Sequence, residues 1–256
     1  MATPLSHPLL YWGGAVLVTL GAAGWLAARE RLSPWTMLMA GAAALPGAVL
    51  GAKGYARMVG PAGAGEPTQA GGAVGVFAGA AFFAWLLLRL RGTRFLDYGD
   101  AAAPAVALGY ALYRIGCHFN GCCFGTVTDA PWAVTFGPTT EAFAAQFGGG
   151  LIPPYAEQTL PVHPAQIYHA AAGLAGCALL LRMKHGRPGL RLSAAFILYG
   201  VTRFAIECVR GDARPILGPL DANQLACIVL VALGGLLRVS HMVPGRPADL
   251  PQEVVP

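Results

Sequence analysis

Charged residues are scarce in this chain: they make up 11% of its 256 residues, whereas 55% are hydrophobic. Soluble domains carry about 25% charged residues. A chain of this size with so little charge lacks the polar surface that a water-soluble globule needs. Its apolar residues also come in runs about as long as a bilayer is thick. The composition therefore excludes an ordinary soluble domain and predicts an all-α integral membrane protein.

Basic residues are few and form no concentrated patch, although the net charge is +5. They occur as short clusters between apolar runs, which in a membrane protein is first a topology signal. This pattern argues against nucleic-acid binding, which needs a clustered basic surface. Six cysteines are too few for a disulfide scaffold, so their positions matter more than their number.

About seven apolar stretches are predicted to cross the membrane. No Lys or Arg precedes the first, which therefore looks like a retained span and not a cleaved signal. We expect one membrane domain over residues 1–243, with a small external cap at about 125–162 that contains a strand at Trp132–Phe136, and a disordered cytosolic tail over 244–256. The predicted spans are Leu9–Ala28, Trp35–Ala52, Ala70–Leu90, Ala101–Phe124, Pro164–Leu181, Leu192–Val209 and Leu225–Leu237.

The distribution of Lys and Arg predicts the orientation of these spans. One side would hold eleven: Arg29, Arg31, Arg89, Arg91, Arg94, Arg182, Lys184, Arg187, Arg191, Arg238 and Arg246. The other side would hold four: Lys53, Arg57, Arg210 and Arg214. Because the richer side faces the cytosol, we expect the N-terminus outside and the C-terminus inside. The Gly125–Val162 loop contains no Lys or Arg and is expected to be external.

Two arginines, Arg114 and Arg203, fall within apolar spans. A cation at bilayer depth is costly, so such residues face a protein interior or a watery cavity. Glu207 and Arg210 follow Arg203 on the same helix face. The spacing is compatible with a purely structural Arg203–Glu207 ion pair. It also favours an anion pocket near the outer leaflet, because two guanidinium groups recognise phosphate oxygens.

Three cysteines and a histidine lie within seven residues after Arg114: Cys117, His118, Cys122 and Cys123. A helix would place Cys117 and His118 on the face of Arg114, with Cys122 continuing it. Isolated cysteines such as Cys177 and Cys227 are adequately explained as small apolar residues. The cluster leaves packing, metal binding, redox chemistry and a reactive thiol all open. Cys208, beside Glu207, could lie near the same pocket.

These segments resemble the prolipoprotein diacylglyceryl transferase family over nearly the whole chain. Span four matches its Arg-Ile-Gly signature at Arg114, Ile115, Gly116, Asn120, Gly121 and Gly125. The start of the external loop (126–133), the His163-Pro-x-Gln166-x-Tyr168 segment and the segment from Tyr199 to Arg210 are also similar.

The resemblance implies transfer of a diacylglyceryl group from phosphatidylglycerol, or a similar anionic phospholipid, to a thiol such as a prolipoprotein cysteine. The expected place is the outer leaflet of a bacterial plasma membrane. Arg114 and Arg203 would hold the lipid phosphate, and Glu207 would orient Arg203. Asn120, Gly121, Arg210, His163, Gln166 and Tyr199 would contribute to substrate binding. The resemblance implies neither a metal nor a cofactor.

The sequence departs from the family at positions that the resemblance assigns to handling the thiol acceptor. The family carries a His-Gly pair in span three, and the corresponding Gly71–Gly79 stretch here has no histidine. Cys117 and Cys122 stand where the family has Asn and Glu, and His169 stands where it has Glu. His118 could supply the lost imidazole. A membrane thiol-redox or soft-metal-handling protein on the same scaffold is the alternative.

Overall fold

The structure is a computed structural model that describes residues 6–59, 69–184, 186–211, 215–218 and 220–240. The predicted tail at 244–256 lies outside these residues. In the described part the chain forms eight helices and one short hairpin. They are α1 (Ser6–Arg29), α2 (Pro34–Val59), α3 (Gln69–Leu90), α4 (Phe95–Asn120), α5 (Glu141–Gly148), α6 (Ala165–Arg182), α7 (Leu190–Glu207), β1 (Pro215–Leu217), β2 (Leu220–Asp221) and α8 (Ala222–Ser240). The two strands pair antiparallel.

Three of the described helices contain a stretch that is long and apolar enough to cross a membrane, namely Leu10–Arg29, Pro34–Tyr55 and Ala222–Ser240. A shorter apolar stretch covers Val74–Leu90. Large apolar side chains such as Leu17, Leu90 and Leu236 are exposed on the helix surfaces. An apolar exterior over an interior that holds arginines is the reverse of a water-soluble globule and suits a lipid surrounding.

Span four differs from its prediction at both ends. The helix begins at Phe95, before the predicted Ala101, because Asp97 and Asp100 are held by partners and do not interrupt it. It ends at Asn120, before the predicted Phe124, because Gly121 adopts the left-handed conformation with φ +65°. Cys122 therefore lies beyond the helix and does not continue its face, contrary to expectation.

Asp100 on α4 fixes the start of α7. Its carboxylate accepts hydrogen bonds from the main-chain N–H groups of Gly189 and Leu192, at 2.8 and 2.7 Å. These N–H groups belong to the first turn of a helix, which has no internal acceptor for them. Next to it, Arg191 forms an ion pair with Glu30 at the end of α1. These contacts set the relative position of α4 and α7, which carry Arg114 and Arg203.

Helices α2 and α3 pack closely through glycines. A Cβ on Gly51 would lie 2.0 Å from the carbonyl oxygen of Gly75, and one on Gly79 would lie 2.1 Å from that of Gly47. Small residues four apart on both helices allow the backbones to meet, as in many membrane helix pairs. The pair thus owes its close approach to the high glycine content of the sequence.

The segment between α4 and α6 folds as a small cap. Phe124, Phe136, Ala142 and Val162 form its buried cluster. The predicted strand at Trp132–Phe136 is wrong: Val134 makes a single bridge to Val162. The backbone bonds between Val134 and Val162 do not extend into a ladder: at Phe136 the N–H donates instead to the Thr159 hydroxyl, at 2.9 Å. Helix α5 was not predicted.

Candidate functional site

Tyr110 on α4 is the centre of a polar cluster inside the helix bundle. Its hydroxyl lies 3.3 Å from Nη1 of Arg203, which donates to it, and 3.0 Å from Nδ1 of His169. The guanidinium of Arg114 lies over the Tyr110 ring, 5.1 Å from its centroid. The structure therefore brings Arg114 and Arg203 together around one tyrosine. Tyr199 also packs edge-on against this ring, at 5.3 Å.

Glu207 holds the second of these arginines in place. Its carboxylate pairs with Nε of Arg203 at 3.1 Å and with Nε of Arg210 at 3.4 Å. It also accepts a hydrogen bond from the side-chain amide of Asn223 at 3.0 Å. All four side chains are buried. Loss of Arg203 would therefore still leave Glu207 in contact with Arg210 and Asn223.

Arg114 is in a different situation from Arg203. Its side chain is buried, with 5% of the residue exposed, and no described carboxylate lies within ion-pair distance. Its Nε and Nη1 donate no hydrogen bond to any described residue. Contacts with the faces of Tyr110 and Tyr113 offset part of the cost of burying the charge. A buried guanidinium with free donors is a strong attractor for an anion.

The turn that follows α4 carries the cysteine cluster. Gly121 donates its N–H to the carbonyl of His118 at 3.1 Å, and Cys122 donates to that of Cys117 at 3.2 Å. This pair of bonds is a Schellman ending, which places the second residue after the helix over its last turn. A Cβ on Gly121 would lie 2.5 Å from Cβ of Thr140 in the cap. Sulfur atoms of Cys117, Cys122 and Cys123 all lie within 4.8 Å of one another.

Three of the motif segments meet at Gly125. Its N–H donates to the carbonyl of His163 at 3.0 Å, and the next N–H, of Thr126, donates to that of Val209 at 2.9 Å. A Cβ on Gly125 would come within 2.5 Å of His163 and 2.9 Å of the Val209 carbonyl. The absence of a side chain lets the ends of α4 and α7 and the start of α6 converge.

The other predicted site residues are distributed around this junction. Gln166 is fully buried and donates to the carbonyl of Cys122 at 2.8 Å. His163 is bonded through Nδ1 to the Tyr168 hydroxyl at 3.1 Å and so belongs to the cap contacts. His118 is half-buried against Phe136, and its Nδ1 has no hydrogen-bond partner in the described part of the chain. Asn120 is half-buried at the helix end.

Cys208 lies apart from the other thiols of interest. It is exposed, and its sulfur accepts a hydrogen bond from Gln224 at 3.6 Å. It is not among the three cysteines that cluster. All six cysteines are free.

Sequence reasoning missed two members of the cluster, Tyr110 and Asn223, and named His169 only as the replacement of a family Glu. Tyr110 precedes Arg114 by four residues, and His169 follows Gln166 by three, so both share a helix face with a predicted site residue. Polar groups at helical spacing from an intramembrane arginine were therefore an available signal. Asn223 had no such signal, because it meets Glu207 only through the packing of α8 on α7.

A helical bundle with an apolar exterior and a buried arginine cluster defines a membrane protein with a basic interior. The chain belongs to the prolipoprotein diacylglyceryl transferase family, whose sequence model matches residues 10–240. This confirms the resemblance seen in the sequence.

Proteins named phosphatidylglycerol–prolipoprotein diacylglyceryl transferase are similar to the chain. One from Pseudomonas fluorescens is 34% identical over 191 residues, covering 69% of this chain and 62% of the relative. One from Clostridium tetani is 30% identical over 162 residues, covering 62% and 59%. One from Finegoldia magna is 28% identical over 249 residues, covering 91% of each. The chain thus spans about six tenths of the first two relatives and nearly all of the third.

Replacing Glu207 or Arg203 by a neutral residue should separate their contributions to the free energy of unfolding. Glu207→Gln leaves Arg203 and Arg210 buried with no charge from this residue, and we expect it to cost about 3–5 kcal/mol of unfolding free energy. Arg203→Met leaves Glu207 paired with Arg210 and Asn223, and should cost clearly less. Unfolding of both variants in detergent measures the difference. Equal losses, or a larger loss for Arg203→Met, would contradict the pairing scheme.

Proposed function

We propose that the chain is a transferase that moves the diacylglyceryl group of phosphatidylglycerol to a thiol acceptor such as a prolipoprotein cysteine. The observation that carries this proposal is the buried guanidinium of Arg114, whose Nε and Nη1 are without partners among the described residues. Arg114 lies beside Arg203, and both arginines contact Tyr110. Family membership and the names of the relatives support the same activity.

The proposed reaction is a substitution at the glyceryl carbon that bears the phosphate. The acceptor sulfur forms a bond to that carbon, the carbon–oxygen bond breaks, and glycerol phosphate leaves with the electron pair. Negative charge grows on the leaving oxygen, where Arg114 and Arg203 stabilise it. Because Tyr110 contacts both guanidinium groups and Glu207 holds Arg203, the two charges are positioned before the lipid arrives.

The acceptor thiol must lose its proton to act as a nucleophile. We assign His118 as the base, in place of the histidine that span three lacks. Its Nδ1 is buried beneath the cap and has no described hydrogen-bond partner, so it is free to accept the thiol proton. His169 instead hydrogen-bonds to Tyr110, and we assign it a positioning role. Gly121, Asn120, Gln166, Tyr199, Arg210 and His163 would shape the lipid pocket and its cap.

The proposal places the site at the outer leaflet of a bacterial plasma membrane. Helices α1–α4 and α6–α8 would be the seven spans of one membrane domain over residues 1–243, with the N-terminus outside. The asymmetry of eleven basic residues against four supports this orientation.

Reporter fusions test this topology. A reporter in the Gly125–Val162 cap should be active only outside the cytosol, and one in the Arg182–Arg191 loop only inside, since the cap has no Lys or Arg and the loop has several. Activity of both reporters on the same side would overturn the seven-span arrangement.

Transfer of labelled diacylglyceryl from phosphatidylglycerol to a lipoprotein signal peptide tests the activity, together with rescue of a strain that lacks its own enzyme. We expect wild-type protein to be active in both. Arg114→Gln should lower the rate by about a hundredfold or more, since it removes a charged donor to the leaving group. Arg94→Gln is the matched control, because Arg94 lies exposed before the opposite end of α4.

Transfer by Arg114→Gln at the wild-type rate would rule out the role that we assign to Arg114 in stabilising the leaving group. Absence of transfer by stable wild-type protein, with phosphatidylglycerol and peptide both supplied, would contradict the proposed function itself.

A further inference from the structure

The three thiols after Arg114 form a compact triangle. Their sulfur atoms lie within 4.8 Å of one another, and Cys117 and Cys122 are buried while Cys123 is half-buried. Sulfurs bound to one zinc ion at about 2.3 Å would lie roughly 4 Å apart. A movement of less than about an ångström per side chain would thus bring all three onto one ion.

Part of this arrangement follows from the way α4 ends. In a Schellman ending the second residue beyond the helix contacts its last turn, so Cys122 lies over Cys117. Any small apolar pair would serve that purpose. The proximity of these two cysteines alone therefore points to no ligand.

Cys123 is the observation that helix capping does not explain. Its φ is +57°, in the left-handed region that residues with a side chain seldom adopt, at a cost of about 1–2 kcal/mol. Glycine would adopt this conformation without strain. The strained backbone of Cys123 instead places a third sulfur near the other two. Such strain is explained if the three sulfurs bind one ligand together.

Two arginines contribute positive charge to the surroundings of the sulfurs. Arg114 interacts electrostatically with Cys117 and Cys123, and Arg210 interacts with Cys123. Metals bind the deprotonated form of the sulfur. Three thiolates with a monovalent or divalent cation carry net negative charge, and the adjacent guanidinium groups would offset it.

We propose that Cys117, Cys122 and Cys123 bind one soft metal cation, Cu(I) or Zn(II), through three thiolate sulfurs. Both ions bind cysteine sulfur well, and each thiol releases its proton to solvent when the ion binds. In the described part of the chain no histidine or carboxylate joins this group. A trigonal Cu(I) ion, or a Zn(II) ion with one further position open, satisfies three sulfur ligands.

Metal binding can be measured without reference to transfer activity. Reduced full-length protein in detergent is titrated separately with Cu(I) and with Zn(II), each against a competing chelator, and bound metal is counted after gel filtration. We expect one ion per chain, with sulfur ligation visible by X-ray absorption. The ion that stays bound to the protein against the tighter-binding chelator is the cation that the site prefers.

Cys123→Ser is the test variant, because Cys123 is half-buried and lies outside the helix. It should weaken metal binding by more than about tenfold. Loss of a residue that only supports a metal ligand already costs about that much, and Cys123 is proposed to be a ligand itself. Cys177→Ser is the matched control: it removes a free, half-buried thiol on α6 that does not belong to the group, and should bind as wild type does.

Alkylation of wild-type protein gives a second measurement that does not depend on a variant folding. Bound metal should protect Cys117, Cys122 and Cys123 from labelling and leave Cys177, Cys208 and Cys227 unchanged. Less than one ion per chain, wild-type affinity in a folded Cys123→Ser protein, or equal labelling of the cluster with and without metal would each overturn the proposal.

Discussion

The cost of burying arginine governs the arrangement of this bundle. Arg114, Arg203 and Arg210 are buried, and each needs compensation that lipid cannot give. Glu207 compensates Arg203 and Arg210 through direct ion pairs. Arg114 packs against the faces of two tyrosines, and its Nε and Nη1 have no hydrogen-bond partner among the described residues. The Arg114 guanidinium is thus left with donors that no described residue occupies, and the proposed chemistry depends on these donors.

The contacts that hold these charges come from distant parts of the chain. Asp100 caps α7 near one end of α4, and the junction at Gly125 joins α4, α6 and α7 near the other. With both ends of α4 anchored, Tyr110 can contact Arg203 and His169 simultaneously. Positioned dipoles and charges need little reorganisation during a reaction, which is what electrostatic catalysis requires.

Local patterns in the sequence predicted the features that depend on local physics. Apolar runs located the long helices to within a few residues at most ends, and the spacing of Arg203 and Glu207 predicted their shared helix face. The expectation that Arg210 continues that face is wrong, because α7 ends at Glu207, although Arg210 still pairs with Glu207 from the turn beyond it. The motifs of spans four to six identified the family correctly. The end of α4 was misjudged because the apolar run continues through Cys122 and Cys123, whereas the backbone turns at Gly121.

Features that depend on tertiary contacts could not be read in the same way. Asp100 and Leu192 are 92 residues apart, and Glu207 meets Asn223 across two helices. No periodicity within one segment encodes such pairs. The cap is a similar case: its Val134–Val162 bridge and helix α5 are stabilised by a small cluster drawn from the whole loop. Arg114, Arg203 and Tyr199 all contact Tyr110, and their roles in catalysis and binding stay predictions.

Selective binding of an anionic phospholipid tests the central claim most directly. Purified protein is offered equal amounts of phosphatidylglycerol and phosphatidylcholine, and the retained lipids are quantified by native mass spectrometry. The account predicts a preference for phosphatidylglycerol of about tenfold or more, equivalent to one charge-assisted hydrogen bond, and its loss in Arg114→Gln. Equal retention of the two lipids, or the same preference without the Arg114 guanidinium, would contradict it.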